Sequence, residues 1–119
     1  MSQKRILVVD DEEDILHLFV KRFNNEYDVV SESHSPTALK TLAEHRFDLL
    51  ICDICMPELS GIDLIKETLN IYPEINIIAM TAYGTDNRLM KCIELDCYGY
   101  VDKPFNWDYM RTLVRKSLV

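Results

Sequence analysis

Leu49-Leu50-Ile51-Cys52-Asp53 is the stretch from which the fold can be read. Four consecutive apolar residues leave neither side of a strand polar, so a strand here is buried on both faces, as in a parallel sheet covered by helices. Similar runs recur on either side: Ile6-Leu7-Val8-Val9 before it, Ile75 to Met80 after it. Two further runs are shorter or mixed, Asp28-Val29-Val30-Ser31-Glu32 and Tyr98-Gly99-Tyr100-Val101, which suits strands at the sheet edges. Between the runs lie stripes of helical period: Leu16, Phe19, Val20 and Phe23; Ile62, Ile65 and Leu69; Leu89, Cys92 and Ile93; Trp107, Met110, Val114 and Leu118. Helix starts are marked by Ser35 before Pro36, Ser60 before Gly61 and Asn106 before Trp107.

Five strands alternating with five helices take about 24 residues each, near the minimum for a strand, a helix and two short loops. The expected fold is α/β, a single doubly wound five-stranded parallel sheet of order 2-1-3-4-5, one domain over residues 1–119. That order is a common one for doubly wound sheets, and it puts the two mixed strands at the edges.

Composition narrows the function. The chain has 119 residues, 48% hydrophobic and 28% charged, enough to bury roughly two-thirds of its unfolded surface in one core. A net charge of −7 repels phosphate backbones and anionic lipid, which argues against direct binding of nucleic acid or membrane. No apolar run is long enough to span a bilayer, no signal peptide is visible, and four cysteines need not pair in a chain with this much core. A cytoplasmic protein is expected. The stop at Val119 suits a stand-alone domain and the front of a longer protein equally.

In an open α/β sheet, ligands bind beyond the carboxyl ends of the strands. Those ends carry Asp10, Asp11 and Glu12, then Asp53, then Thr81, then Lys103. Crowded carboxylates repel unless a cation intervenes, and a few carboxylates with open water positions suit Mg²⁺ better than a Ca²⁺ cage. Such a site accommodates phosphoryl oxygens, with an Asp as nucleophile, Lys103 as a point charge and Thr81 as a hydrogen-bond donor. Read singly, each residue has a plainer explanation: a helix-start acid, a turn residue, a strand-end hydroxyl, a surface lysine. Their convergence sets these aside.

At Val8-Val9-Asp10-Asp11-Glu12, Asp53 to Gly61, Met80-Thr81-Ala82 and Tyr100-Val101-Asp102-Lys103-Pro104-Phe105, the chain resembles the receiver domain of two-component response regulators, which has a flavodoxin-like fold. The resemblance implies Asp53 as phosphoacceptor, Mg²⁺ held by Asp11, Asp10, Asp53 and the backbone carbonyl of Cys55, and Lys103 as the phosphate-contacting lysine. It further implies Thr81 and Tyr100 as paired switch residues and a cis bond at Lys103-Pro104. Its implied donor is a histidine kinase or phosphotransfer protein. The implied response is a change in the face made by the fourth helix, fifth strand and fifth helix, read by an output domain, a downstream protein or a second copy in a phosphorylation-dependent homodimer. Turnover of an external substrate is not expected.

Three other readings fit the residues less well. An aspartyl phosphatase lacks length for a cap domain, the acidic first loop opposes a flavin carrier, and a pure scaffold has no need of the Asp11, Asp53, Thr81 and Lys103 set. Cys52 and Cys55 bracket Asp53, but Cys52 closes a strand instead of opening a helix; these two, with Cys92 and Cys97 placed toward another sheet edge, are read as core filling. His17, His34 and His45 lie away from the acidic rim. Met90, Lys91, Tyr98 and Met110 suit an output surface and ordinary helix packing equally, and the resemblance implies that Tyr83 and Cys55 tune phosphoryl lifetime.

Overall fold

The computed structural model describes residues 3–56, 60–82 and 87–119. Its elements are β1 (Arg5–Val9), α1 (Glu13–Phe23), β2 (Asp28–Glu32), α2 (Ser35–Glu44), β3 (Leu49–Asp53), α3 (Gly61–Ile71), β4 (Asn76–Thr81), α4 (Asn87–Glu94), β5 (Gly99–Asp102) and α5 (Trp107–Ser117). The five strands form one parallel sheet in the expected order, β2-β1-β3-β4-β5. β3 is buried throughout, whereas β2 keeps two exposed residues and β5 one, as edge strands should.

The handedness of crossovers assigns each helix to a face. From β1 the chain steps outward to β2, then returns across β1 to β3 and continues to β4 and β5. Right-handed connections therefore put α1 on one face and α2, α3 and α4 on the other. Helix α5 follows the last strand and fills the space left beside α1. Side chains alternate accordingly: Ile6, Val8, Leu49, Ile51, Ile78 and Met80 pack against Leu16, Phe19, Phe23, Met110 and Val114. Leu7, Val9, Leu50, Cys52, Ile77 and Ala79 pack against Ala38, Leu42, Ile65 and Cys92. Two cores, one per face, are why the central strands read as unbroken apolar runs.

Local signals place the helix starts to within a residue. Ser60 caps α3 by accepting from Asp63 N at 3.2 Å, and Asn106 Oδ1 caps α5 from Asp108 N at 2.8 Å and Tyr109 N at 3.1 Å. At α2 the cap position is His34, and Ser35 is already helical and buried, one residue earlier than its sequence suggests. Two apolar expectations are corrected. Ile93 is 48% exposed because α4 covers the sheet with Cys92 instead, and Met110 is fully buried under α5, which removes it from any output surface. Tyr83 and Pro57 lie outside the described residues.

Candidate functional site

The carboxyl ends of β1, β3, β4 and β5 meet at one point. Asp10 follows β1 and is completely buried; Asp53 closes β3 at 4% exposure. Each makes the same turn. Asp10 Oδ1 accepts from Glu12 N at 2.8 Å, and Asp53 Oδ1 accepts from Cys55 N at 2.9 Å. A side chain that accepts from the backbone two residues on is the turn an aspartate makes best at a strand end. One oxygen of each carboxylate is thus tied to backbone, and the other meets Lys103. Lys103 Nζ stands 2.7 Å from Asp10 Oδ2, 3.0 Å from Asp53 Oδ2 and 3.2 Å from Glu12 Oε1.

Several contacts hold that lysine. Its backbone N donates to Thr81 O at 2.7 Å, and the Lys103-Pro104 peptide is cis, as the resemblance implied. Phe105 and Phe19 each meet Trp107 edge-on at 4.8 Å, so the segment after β5 is pinned to α1 by aromatic packing. Arg22 lies over the Trp107 ring at 5.0 Å. Thr81 is 1% exposed at the end of β4, one strand from Asp53.

The electrostatics are those of a cation site. Burial raises the Asp10 carboxyl from its ordinary 3.8 to about 6, although Lys103 and the Glu12 amide pull the other way. Burial would lower the Lys103 ammonium, but its contacts with Asp10 and Asp53 prevail and raise it, so it stays charged. Asp10, Asp11 and Asp53 each offer an oxygen, all within 4.8 Å of one another, and only Asp11 is exposed. Three carboxylates against one ammonium leave two negative charges uncompensated. Asp10 Oδ2, fully buried, touches Lys103 but makes no hydrogen bond of regular geometry. Two ligands of one octahedral Mg²⁺ stand at most about 4.2 Å apart. The cluster, with its oxygens within 4.8 Å of one another, is close to that span. The residues fit a hard divalent cation.

Sequence profiles of the response regulator receiver domain match residues 6–115. The chain is a member of that family. Over 119 residues it is 34% identical to the sporulation initiation phosphotransferase F of Bacillus subtilis, covering 99% of this chain and 96% of that protein. An NtrX-like putative response regulator of Rickettsia felis is 31% identical over 98% of this chain, which spans only 25% of that longer protein. Among solved structures, the response regulator TrrA of Thermotoga maritima, in complex with Mg²⁺ and BeF, superposes with a TM-score of 0.87 at 34% identity, covering 98% of this chain and all of that one. The Vibrio cholerae chemotaxis protein CheY4, at 22% identity and a TM-score of 0.91 over 98% of this chain and 100% of that one, shows the same fold.

The structure brings Asp10, Asp11, Glu12, Asp53 and Lys103 of this receiver together, with Thr81 at the end of the adjacent strand. Tyr100 is half-buried beside them on β5, its hydroxyl donating to Cys92 O at 3.4 Å. Two features were not foreseen. One is that Gly61 lies so close to β3 that a Cβ there would fall 2.2 Å from Asp53 O and 2.4 Å from Ile54 Cα. Its place after a capping serine showed only a helix start. The other is that Cys92 and Cys97 share a core layer with Cys52 instead of sitting apart from it. Among the described residues no cysteines cluster as metal ligands, and no helix is long and apolar enough to cross a membrane.

Proposed function

We propose that the chain is a phosphorylation-dependent switch in which Asp53 accepts a phosphoryl group from phosphohistidine on a kinase or phosphotransfer protein. The observation that carries this is Lys103 Nζ bridging the Asp10 and Asp53 carboxylates at 2.7 and 3.0 Å, with Asp11 within the same 4.8 Å cluster. Asp53 Oδ1 is fixed by the Cys55 amide, which leaves Oδ2 to attack phosphorus in line as the P–N bond to the donor imidazole breaks. Lys103 already touches Oδ2 and would follow charge onto a phosphoryl oxygen; Thr81, one strand away, would donate to another. Asp10, Asp11, Asp53 and the Cys55 carbonyl would hold Mg²⁺, which when bound supplies neutralising charge to the transferred oxygens. A groove of about 310 Å³ beside Lys103, lined by Ile15, Leu18, Phe105 and Trp107, gives the donor protein an apolar landing next to the acceptor.

Aspartyl phosphate adds roughly one negative charge and three strong acceptor oxygens where one carboxylate stood. Thr81 would move toward them, and Tyr100 would turn into the space vacated. The surface so altered is the one where Met90, Ile93, Tyr98 and Tyr109 are exposed at 57%, 48%, 42% and 54%, apolar side chains on α4, just before β5 and on α5 suited to an output domain or downstream protein. Acetyl phosphate with Mg²⁺ should add one hydroxylamine-sensitive phosphoryl group to the intact chain, and EDTA should stop it. Labelling that persists without metal would contradict the reading.

Asp10 supplies a second check through pH. Its carboxyl is about 6 folded and 3.8 unfolded, so the folded chain binds this proton more tightly. Its contribution to metal-free stability is therefore greatest below about pH 4 and falls as pH rises to about 6. Mg²⁺ competes with that proton, so affinity should weaken as pH drops below about 6. Asp10→Asn should melt higher than the parent without metal at pH 7.5 and gain little from added Mg²⁺. Thermal melts with and without Mg²⁺ measure both; a lower metal-free melting temperature would refute the assignment.

A further inference from the structure

Helix α4 ends in a turn that brings two thiols together. Asp96 takes the left-handed conformation, φ 58°, and the chain closes with Cys97 N donating to Cys92 O at 3.2 Å and Asp96 N donating to Ile93 O at 3.1 Å. These paired bonds define a Schellman motif, in which the residue after the left-handed one folds its side chain against the first residue of the helix's last turn. Here those residues are Cys97 and Cys92. An apolar contact is usual at this point, whereas here the two residues are cysteines, both in the core cluster on this face of the sheet. Neither is in a disulfide. Cys92 is fully buried and Cys97 is 9% exposed, in the turn that ends α4, and helix ends open locally at least cost. Cys52 shares the layer, but its thiol donates to its neighbour Asp53 O at 3.3 Å and burial pushes it well up, away from reactivity. The Cys97 S–H, by contrast, stabilises a Cys92 thiolate and lowers that thiol.

We propose that Cys92 and Cys97 form an oxidisable dithiol, closed to an intramolecular disulfide by hydrogen peroxide and coupled through the Cys92 carbonyl to Tyr100. One sulfur, as thiolate, takes an oxygen from peroxide; the O–O bond breaks, a sulfenic acid forms and the departing hydroxide is protonated to water. The second sulfur attacks the sulfenic sulfur and expels a second water. Two S–H bonds and one O–O bond are lost, one S–S and two O–H bonds are formed, both sulfurs are oxidised and peroxide is reduced. Drawing the sulfurs together moves the Cys92 carbonyl, which accepts both from Cys97 N and from the Tyr100 hydroxyl. The site is thus distinct from the acidic rim and its chemistry needs no phosphoryl group.

The full chain is treated with a modest excess of hydrogen peroxide, denatured in acid, alkylated and mapped by peptide mass spectrometry. Two of the four cysteines, 92 and 97, should escape alkylation as one cross-linked pair that dithiothreitol restores. Cys97→Ser should abolish the cross-link while keeping the parent's circular dichroism. Tyrosine ring resonances should shift at Tyr100 on oxidation and stay put at Tyr27. A Cys52–Cys92 cross-link, intermolecular disulfides only, or four free thiols after treatment would overturn the dithiol; an unmoved Tyr100 signal in oxidised chain would overturn the coupling.

Discussion

Asp53→Asn is expected to leave the chain folded and take no phosphoryl group at all. The carboxamide keeps an oxygen to accept from Cys55 N, so the 2.9 Å bond that orients the turn survives. What it loses is the anionic Oδ2, the atom 3.0 Å from Lys103 Nζ and the nucleophile of the proposed transfer. A neutral amide is a far weaker nucleophile, and removal of a nucleophile costs rate factors of at least about 10³. Stability should not fall in step, because the substitution also removes one of two buried like charges, and Lys103 retains Asp10 at 2.7 Å. Intact mass after acetyl phosphate and Mg²⁺, beside a thermal melt, reads both quantities. Labelling undiminished in a folded Asp53→Asn chain would place the acceptor elsewhere and remove the basis of the proposed switch.

Gly61→Ala should be the most damaging single methyl in the described structure. The added Cβ would meet backbone on both sides, Asp53 O at 2.2 Å and Ile54 Cα at 2.4 Å, and backbone cannot swing aside as a side chain can. Alanine's better helix propensity returns only about 1 kcal/mol. Overpacking against a central strand costs about 3 kcal/mol or more, which for a domain of this size lowers Tm by roughly 10 °C. Because the atoms displaced belong to the proposed acceptor Asp53 and its neighbour Ile54, phosphorylation should slow as well. Gly99→Ala is the control: its Cβ would meet Leu113 Cδ2 at 2.9 Å, the end of a flexible side chain that is only half-buried. That cost should stay below about 1.5 kcal/mol. Equal melting temperatures for the two variants would show that the Asp53–Gly61 approach is not what the site depends on.

The rim was legible because its residues sit at strand ends, and strand ends can be counted. Leu49 to Cys52 announced a strand buried on both faces, so Asp53 had to emerge at its carboxyl edge; the same counting placed Asp10 after β1, Thr81 on β4 and Lys103 just past β5. α4 was the weakest reading. Its stripe of Leu89, Cys92 and Ile93 is too short to fix an angle on the sheet, and the helix turned so that Cys92 is buried and Ile93 lies 48% exposed. Met110 was open to two readings, the packed stripe of α5 or an output surface, and the room left beside α1 drew it in.

Period and punctuation along the chain were thus sufficient for five strands and five helices, since each depends on neighbours a few residues away, while the strand order agrees with one common to doubly wound sheets. Folding alone decided how tightly the parts meet. The 2.2 Å approach at Gly61, the lysine seated between two aspartates and the meeting of Cys92 with Cys97 depend on helix tilt and loop closure. Those are set by packing against residues remote in sequence, and no local pattern encodes them.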